Sequence, residues 1–147
     1  MARESFADRL ERSTKASGPI VAERFFESEG RAKAVRVRIR KPRRDPKTRD
    51  HWCSFEVSGE GGARGFKVWG VDSLQALQLA IRAAGELLRE EGRGLTWCGD
   101  SDLGFPKVYP AFLSPTAQSR IERQIDREIE REQRPSRKSP SSKRRQT

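Results

Sequence analysis

At 147 residues the chain has room for one domain with tails, and a net charge of +10 makes anionic partners the first class to weigh. The charged opening MARESFADRLERSTK is unlike a secretory signal, and no apolar run approaches a membrane span, so the expected address is cytoplasmic, with no membrane partner. In that compartment the two cysteines, Cys53 and Cys98, are expected to stay reduced and to serve as small buried hydrophobes.

The charge is unevenly placed: residues 1–19 carry +1, residues 20–106 carry +3 and residues 107–147 carry +6. Residues 1–19 offer only Phe6 and Leu10 to hold a short helix, so they read as a loosely ordered arm that ends at Gly18-Pro19. Ile20 to Glu27 is rich in β-branched and aromatic residues and predicts a strand, with a turn at Ser28-Glu29-Gly30. Ala32 to Arg40 is the clearest strand, because Val35, Val37 and Ile39 alternate with Arg36, Arg38 and Arg40.

The segment KPRRDPKTRD, from Lys41 to Asp50, reads as an exposed basic loop. A third strand follows at His51 to Ser58, with Cys53, Phe55 and Val57 on one face and Trp52, Ser54 and Glu56 on the other. Gly59 to Gly65 is a flexible hairpin connection, and Phe66 to Val71 is the fourth strand. Asp72 is a good N-cap and Gln75 can close a capping box, opening a helix whose stripe is Leu74, Leu77, Ile81, Ala84 and Leu88, flanked by Ala80 and Leu87. Gly85 beside that stripe would let the backbone approach the sheet, and Gly92 with Gly94 stops the helix. Leu95 to Cys98 is a candidate fifth, edge strand. Ser114-Pro115 starts a second helix reaching about Gln133, with Ile121, Ile125 and Ile129 as a narrow ridge among charges. Residues 134–147 hold six basic residues and no acidic one, the composition of a disordered tail.

The pattern predicts an α+β domain over residues 20–106. It is an antiparallel meander of four or five strands with one main helix on one face, followed by a linker and charged helix at 107–133 and the basic tail at 134–147.

The ordered motifs VRVRIRKP, WCSFEV, GVDSLQALQLA, LTW and DLGFP resemble a family of small bacterial proteins classified only as a domain of unknown function, over about Ile20 to Pro106. The resemblance implies a bacterial single-domain protein and transfers no catalytic residue. The C-terminal helix and tail look like an addition to it.

Candidate sites divide by chemistry. Arg36, Arg38 and Arg40 recur every ~7 Å along one strand face and continue into Arg43 and Arg44. With Trp52 and Trp69 on the same face they form a candidate site for an acidic protein surface or for nucleic acid. The same face also reads as an ordinary open sheet surface, its arginines lying over tryptophan rings and Glu56 offsetting part of the charge. His51, Cys53, Cys98, Asp100 and Asp102 have no paired metal-ligand spacing, and no triad-like turn surrounds either cysteine, so no metal, cofactor or catalytic residue is expected. GEGGARG lacks the GK[ST] of a phosphate loop and joins two strands. Gly99 to Pro106 either lines a recognition pocket or plugs the core through Phe105. The expectation is therefore a non-enzymatic binding module for an acidic protein partner, with nucleic-acid binding by the arginine strand and basic tail as the alternative. The Ile121, Ile125, Ile129 ridge offers self-association.

Overall fold

A computed structural model describes residues 4–13, 18–30, 34–92, 94–106 and 113–133. The chain forms two compact units, Met1–Lys107 and Val108–Thr147. The expected disordered tail and the linker up to residue 112 lie outside the described residues, as do Ala32 and Lys33 of the expected second strand.

In the first unit β2 (Ile20–Ser28), β3 (Val35–Arg40), β5 (His51–Gly59) and β6 (Gly62–Gly70) pair in succession, all antiparallel. The predicted meander is present. The β5–β6 connection is tighter than its glycine content suggests. Gly59 already pairs with Gly62, leaving Glu60 and Gly61 as the turn, and Gly62 takes φ 89°, where only glycine is unstrained. The Leu95–Thr96 strand, β7, pairs with Glu27 and Ser28 at one end of β2.

Two further strands were not legible. In the supposed loop 41–50, β4 (Arg43–Arg44) pairs with the first two residues of β5, after which Asp45 closes the turn by accepting from the Arg49 and Lys47 amides. At the N-terminus Ser5 and Asp8 form a capping box around one helical turn, α1 (Phe6–Arg9), and β1 (Glu11–Arg12) then pairs with β6. Phe6 and Leu10 pack against the core and Ala7 is buried, so these residues are held rather than frayed.

One face of the sheet is covered by α2 (Ser73–Glu91). Asp72 caps it, accepting from the Gln75 amide at 2.7 Å, but Gln75 Oε1 accepts from the Val71 amide at 2.8 Å rather than from Asp72 itself. The box reaches one residue further back than its usual form. Of the expected stripe and its flanks, Ala80, Ala84, Leu87 and Leu88 are buried and Leu77 and Ile81 pack at its margin, but its centre shifts towards Ala76 and Ala83, and Leu74 is 63 % exposed. The cause is proximity. Where β6 meets the helix, a Cβ on Gly70 would stand 2.5 Å from the Ala76 nitrogen, so only small side chains fit between the backbones. The large apolar volume comes from the sheet: Phe26, Phe55 and Phe66 are fully buried with Leu87, each contributing about 1.5–3 kcal/mol on burial.

The loop after β7 is a second correction. Trp97 and Asp100 exchange backbone hydrogen bonds of 2.9 and 3.0 Å across a two-residue turn, with Cys98 at φ 54° and Gly99 at φ 80°. Both central residues are left-handed, as the tight hairpin turn requires, so Cys98 is exposed and not the buried hydrophobe expected. Asp100 and Asp102 accept from the amides of Asp102 and Gly104 two residues on, and Phe105 stacks on Phe26 with ring centroids 5.8 Å apart. Phe105 fills the space beside Gly85, so that glycine admits a side chain from this loop and not the sheet backbone.

In the second unit Ser114 caps α3 (Pro115–Gln133), its Oγ accepting from the Ala117 amide at 3.2 Å. No residue of this helix is buried, and Ile125 and Ile129 are each 47 % exposed. Among the described residues, no helix is long and apolar enough to cross a membrane.

Candidate binding face

The sheet face opposite α2 carries the sequence-predicted site residues. Strand alternation places Val35, Val37 and Ile39 in the core and Arg36, Arg38 and Arg40 on the open side, each half-buried. Register then decides what each arginine meets. Glu23, Arg38 and Glu56 stand side by side on β2, β3 and β5, and Arg38 lies 3.1 Å from Glu23 and 3.7 Å from Glu56. Arg36 is 3.9 Å from Glu23 and rests over the Phe25 ring at 5.7 Å. Arg40 donates to the Gly18 carbonyl at 2.8 Å. Two of the three arginines are thus neutralised within the sheet, and the row is not an open track of positive charge.

Cations and aromatic rings meet at one corner of the sheet. Trp52 and Trp69 are direct neighbours on β5 and β6, and β4 sets Arg43 beside Trp52 and Arg44 beside His51. Lys67, two residues before Trp69 on the same strand face, places its ammonium 4.4 Å from the Trp52 ring and 4.6 Å from the Trp69 ring. Arg43 approaches Trp52 from the other side at 6.0 Å. Glu11 of β1 accepts from the Trp69 indole at 2.8 Å and fixes that ring, which remains 37 % exposed. Lys67, Arg43 and two indoles therefore share a patch bordered by Glu11, which stands opposite Lys67 on β1 and accepts from the Trp69 indole, while Arg44, opposite His51, lies on the other face of the sheet. Each cation over an aromatic ring is stabilised by about 0.5–1 kcal/mol while its charge still faces outward.

Lys67 was not singled out from sequence, although alternation from Phe66 and Val68 puts it on the open face beside Trp69. The signal was there in FKVW. Its meaning needed the β5–β6 register, which pairs Lys67 with Ser54 between the two tryptophans.

The residues weighed for catalysis do not converge. His51 opens β5 beyond the Ile20–Arg40 end of the β2–β3 pair, whereas Cys98 follows β7 at the Ser28 end. Cys53 is buried, its Sγ donating to the Arg40 carbonyl at 3.2 Å, and burial pushes its thiol up to about 11, away from a reactive thiolate. A hollow of about 590 Å³ between the β5–β6 hairpin and the end of α2 is bridged by the Arg64–Glu91 ion pair, and no histidine or cysteine lines it among the described residues. No group of three or more histidine, cysteine, aspartate or glutamate side chains is placed to hold a metal ion, again among the described residues.

No curated protein and no solved structure matches the chain. The family described as Domain of unknown function (DUF6968) matches residues 22–107, which take in β3 to β7, most of β2, α2 and the loop that carries Phe105. The chain belongs to that family.

Proposed function

We propose that this protein is a non-enzymatic binding module whose open sheet face takes an acidic protein surface, with the Trp52–Lys67–Trp69 corner and its neighbour Arg43 as the contact. The observation that carries the reading is the distribution of carboxylates. Glu23 and Glu56 offset Arg36 and Arg38 along the strand row, while at the corner Lys67 lies over both tryptophan rings. Such a corner suits one or two discrete carboxylates beside an apolar group. A nucleic-acid backbone presents phosphates at regular spacing, and on this face it would run over the same glutamates. Two unpaired cysteines support a reducing, cytoplasmic location, in keeping with the bacterial family the core resembles.

The test is fluorescence anisotropy with the full chain and two probes: a labelled glutamate-rich peptide containing leucine, and a labelled single-stranded oligonucleotide, each across a salt series. The peptide is expected to bind, and Lys67→Ala with Trp69→Ala to weaken it roughly tenfold or more. Oligonucleotide binding that the same two substitutions remove, with no peptide binding, would replace this reading by the nucleic-acid one. Oligonucleotide binding that depends instead on Lys143, Arg144 and Arg145 would belong to the tail.

A further inference from the structure

We propose that the outer edge of β2, from Ala22 to Phe25, takes an extended peptide as an added antiparallel strand, with a basic residue opposite Glu23 and an apolar residue in the hollow beside Ala22. This edge lies across the sheet from the tryptophan corner, and the inference is independent of the reading given to that corner.

The starting point is a strand with one side unused. β2 pairs with β3 along most of its length, but on its other side β7 meets only Glu27 and Ser28. Among the described residues, no strand pairs with the outer side of Ile20 to Phe26, so the backbone groups that point outward there have no ladder to join. The opposite edge is blunted: β1 covers Phe66 and Lys67 of β6, and the Ser13 amide donates to the Gly65 carbonyl at 3.0 Å. On β2 the edge is apolar instead, with Ile20, Val21 and Phe25 all exposed. Such an edge is a template for another strand.

The two faces of the edge specify what that strand should carry. On the open face Glu56, Arg38 and Glu23 alternate in sign across β5, β3 and β2, and the next position outward is complementary to a cation. One row along, Phe25 lies opposite Arg36 and favours an apolar neighbour. On the helix face α2 lies chiefly over β5 and β6. Phe105 stacks on Phe26, and a hollow of about 290 Å³ is left between Ala22, Val37, Ile39, Ile81 and Phe105. Directly opposed residues share a face, so an apolar side chain set beside Ala22 enters that hollow.

A second copy of β2 fits this edge poorly. In a twofold pair centred on Glu23 or on Arg24, that residue would face its like-charged twin, and a pair centred on Phe25 would need Glu27, which β7 occupies. Centring on Ala22 runs the pairing through the irregularity between Ile20 and Ala22. A strand of different sequence meets none of these conflicts.

The test uses the full chain and a labelled octapeptide that alternates valine with threonine, one central threonine being replaced by lysine. It is expected to bind, and to slow amide exchange in β2 from Ile20 to Phe26 while exchange at Trp52 and Trp69 is unchanged. A version with two central prolines, which lack backbone donors, is expected to bind roughly tenfold or more weakly. Glu23→Lys is expected to invert the charge preference, so that a glutamate version of the peptide binds better than the lysine one. Should Glu23→Lys fail to fold by circular dichroism, the exchange pattern of wild type and the proline peptide decide alone. The proposal is overturned by absence of binding at millimolar peptide, by equal binding of the proline version, or by protection confined to the tryptophan corner. A wild type of twice the chain mass in light scattering, with β2 amides already protected before peptide is added, overturns it in favour of a second copy. None of these readouts involves Lys67→Ala or Trp69→Ala, so failure here leaves the corner reading standing.

Discussion

Phe105 lies against the flank of α2 where Gly85 has no side chain: a Cβ at Gly85 would stand 2.8 Å from the Phe105 Cβ and 2.9 Å from its Cγ. The atoms in the way are the root of the phenylalanine and not its mobile end. On propensity alone Gly85→Ala should stabilise the helix by about 1 kcal/mol, yet here it must push Phe105 off Phe26. A net loss of about 1–2 kcal/mol is expected in urea unfolding. In the Phe105→Ala background the same substitution should turn neutral or stabilising, and a cycle of the four proteins measures that coupling.

Arg24 pins the same loop from the β2 side. Its guanidinium sits 4.0 Å above the Trp97 ring and donates to the Leu103 and Gly104 carbonyls at 3.0 and 2.8 Å. Charged hydrogen bonds of this kind contribute about 1.5–3 kcal/mol. Arg24→Met should therefore keep the packing of the stem and lose the loop: amides from 98 to 104 should exchange faster while those of β3 and β5 stay protected.

Gly70 and Gly61 differ sharply in what an added methyl would meet. At Gly70 it would lie 2.5 Å from the Ala76 nitrogen, backbone that cannot move without shifting α2, whereas nothing lies within 4 Å of Gly61. Gly70→Ala should cost about 3 kcal/mol or prevent folding. Gly61→Ala should stay within about 0.5 kcal/mol. Equal effects on the denaturation midpoint would show that α2 does not approach β6 as closely as described.

Burial of Cys53 raises its thiol from an ordinary 9.0 to about 11. A raised folded-state value means that the neutral thiol is favoured by folding. Its contribution is complete below about pH 9 and declines as pH climbs from there through about 11. Comparing urea unfolding near pH 8 and near pH 10, wild type should lose more stability than Cys53→Ala, whose difference reports the remaining alkaline titrations. Reagent titration of the native protein should meanwhile modify exposed Cys98 rapidly and Cys53 only as fast as the protein opens.

The meander could be read directly because each long strand alternates cleanly, and Asp72 marked the start of α2 without ambiguity. What escaped was set by distance in sequence. Leu74 seemed to belong to the buried stripe because leucine usually outweighs alanine, but the close approach at Gly70 turned the alanine side inward. The arginine row read either as an ordinary sheet face, with Glu56 offsetting part of its charge, or as a phosphate track; Glu23 lies on another strand, and only the β2–β3 register sets it opposite Arg38. Cys98 looked like the end of an apolar run, whereas its left-handed backbone belongs to a turn. On the candidate face, pattern alone pointed to Arg43, Trp52 and Trp69; the register sets Arg44 on the opposite face beside His51, and Lys67 needed the pairing of β5 with β6.

On its outer edge β5 has two partners in succession: β3 accompanies Phe55 to Ser58, and β4 accompanies only His51 and Trp52. The fold's cohesion and its cationic corner therefore depend on different stretches of one strand. If β4 were to peel away, the phenylalanine core beneath β3 and β5 would keep its neighbours, so opening there is a local event of low free energy. Substitution at Arg43 and Arg44 is correspondingly expected to leave global stability within about 0.5 kcal/mol of wild type. The charge of this corner can therefore change while the scaffold beneath it stays the same.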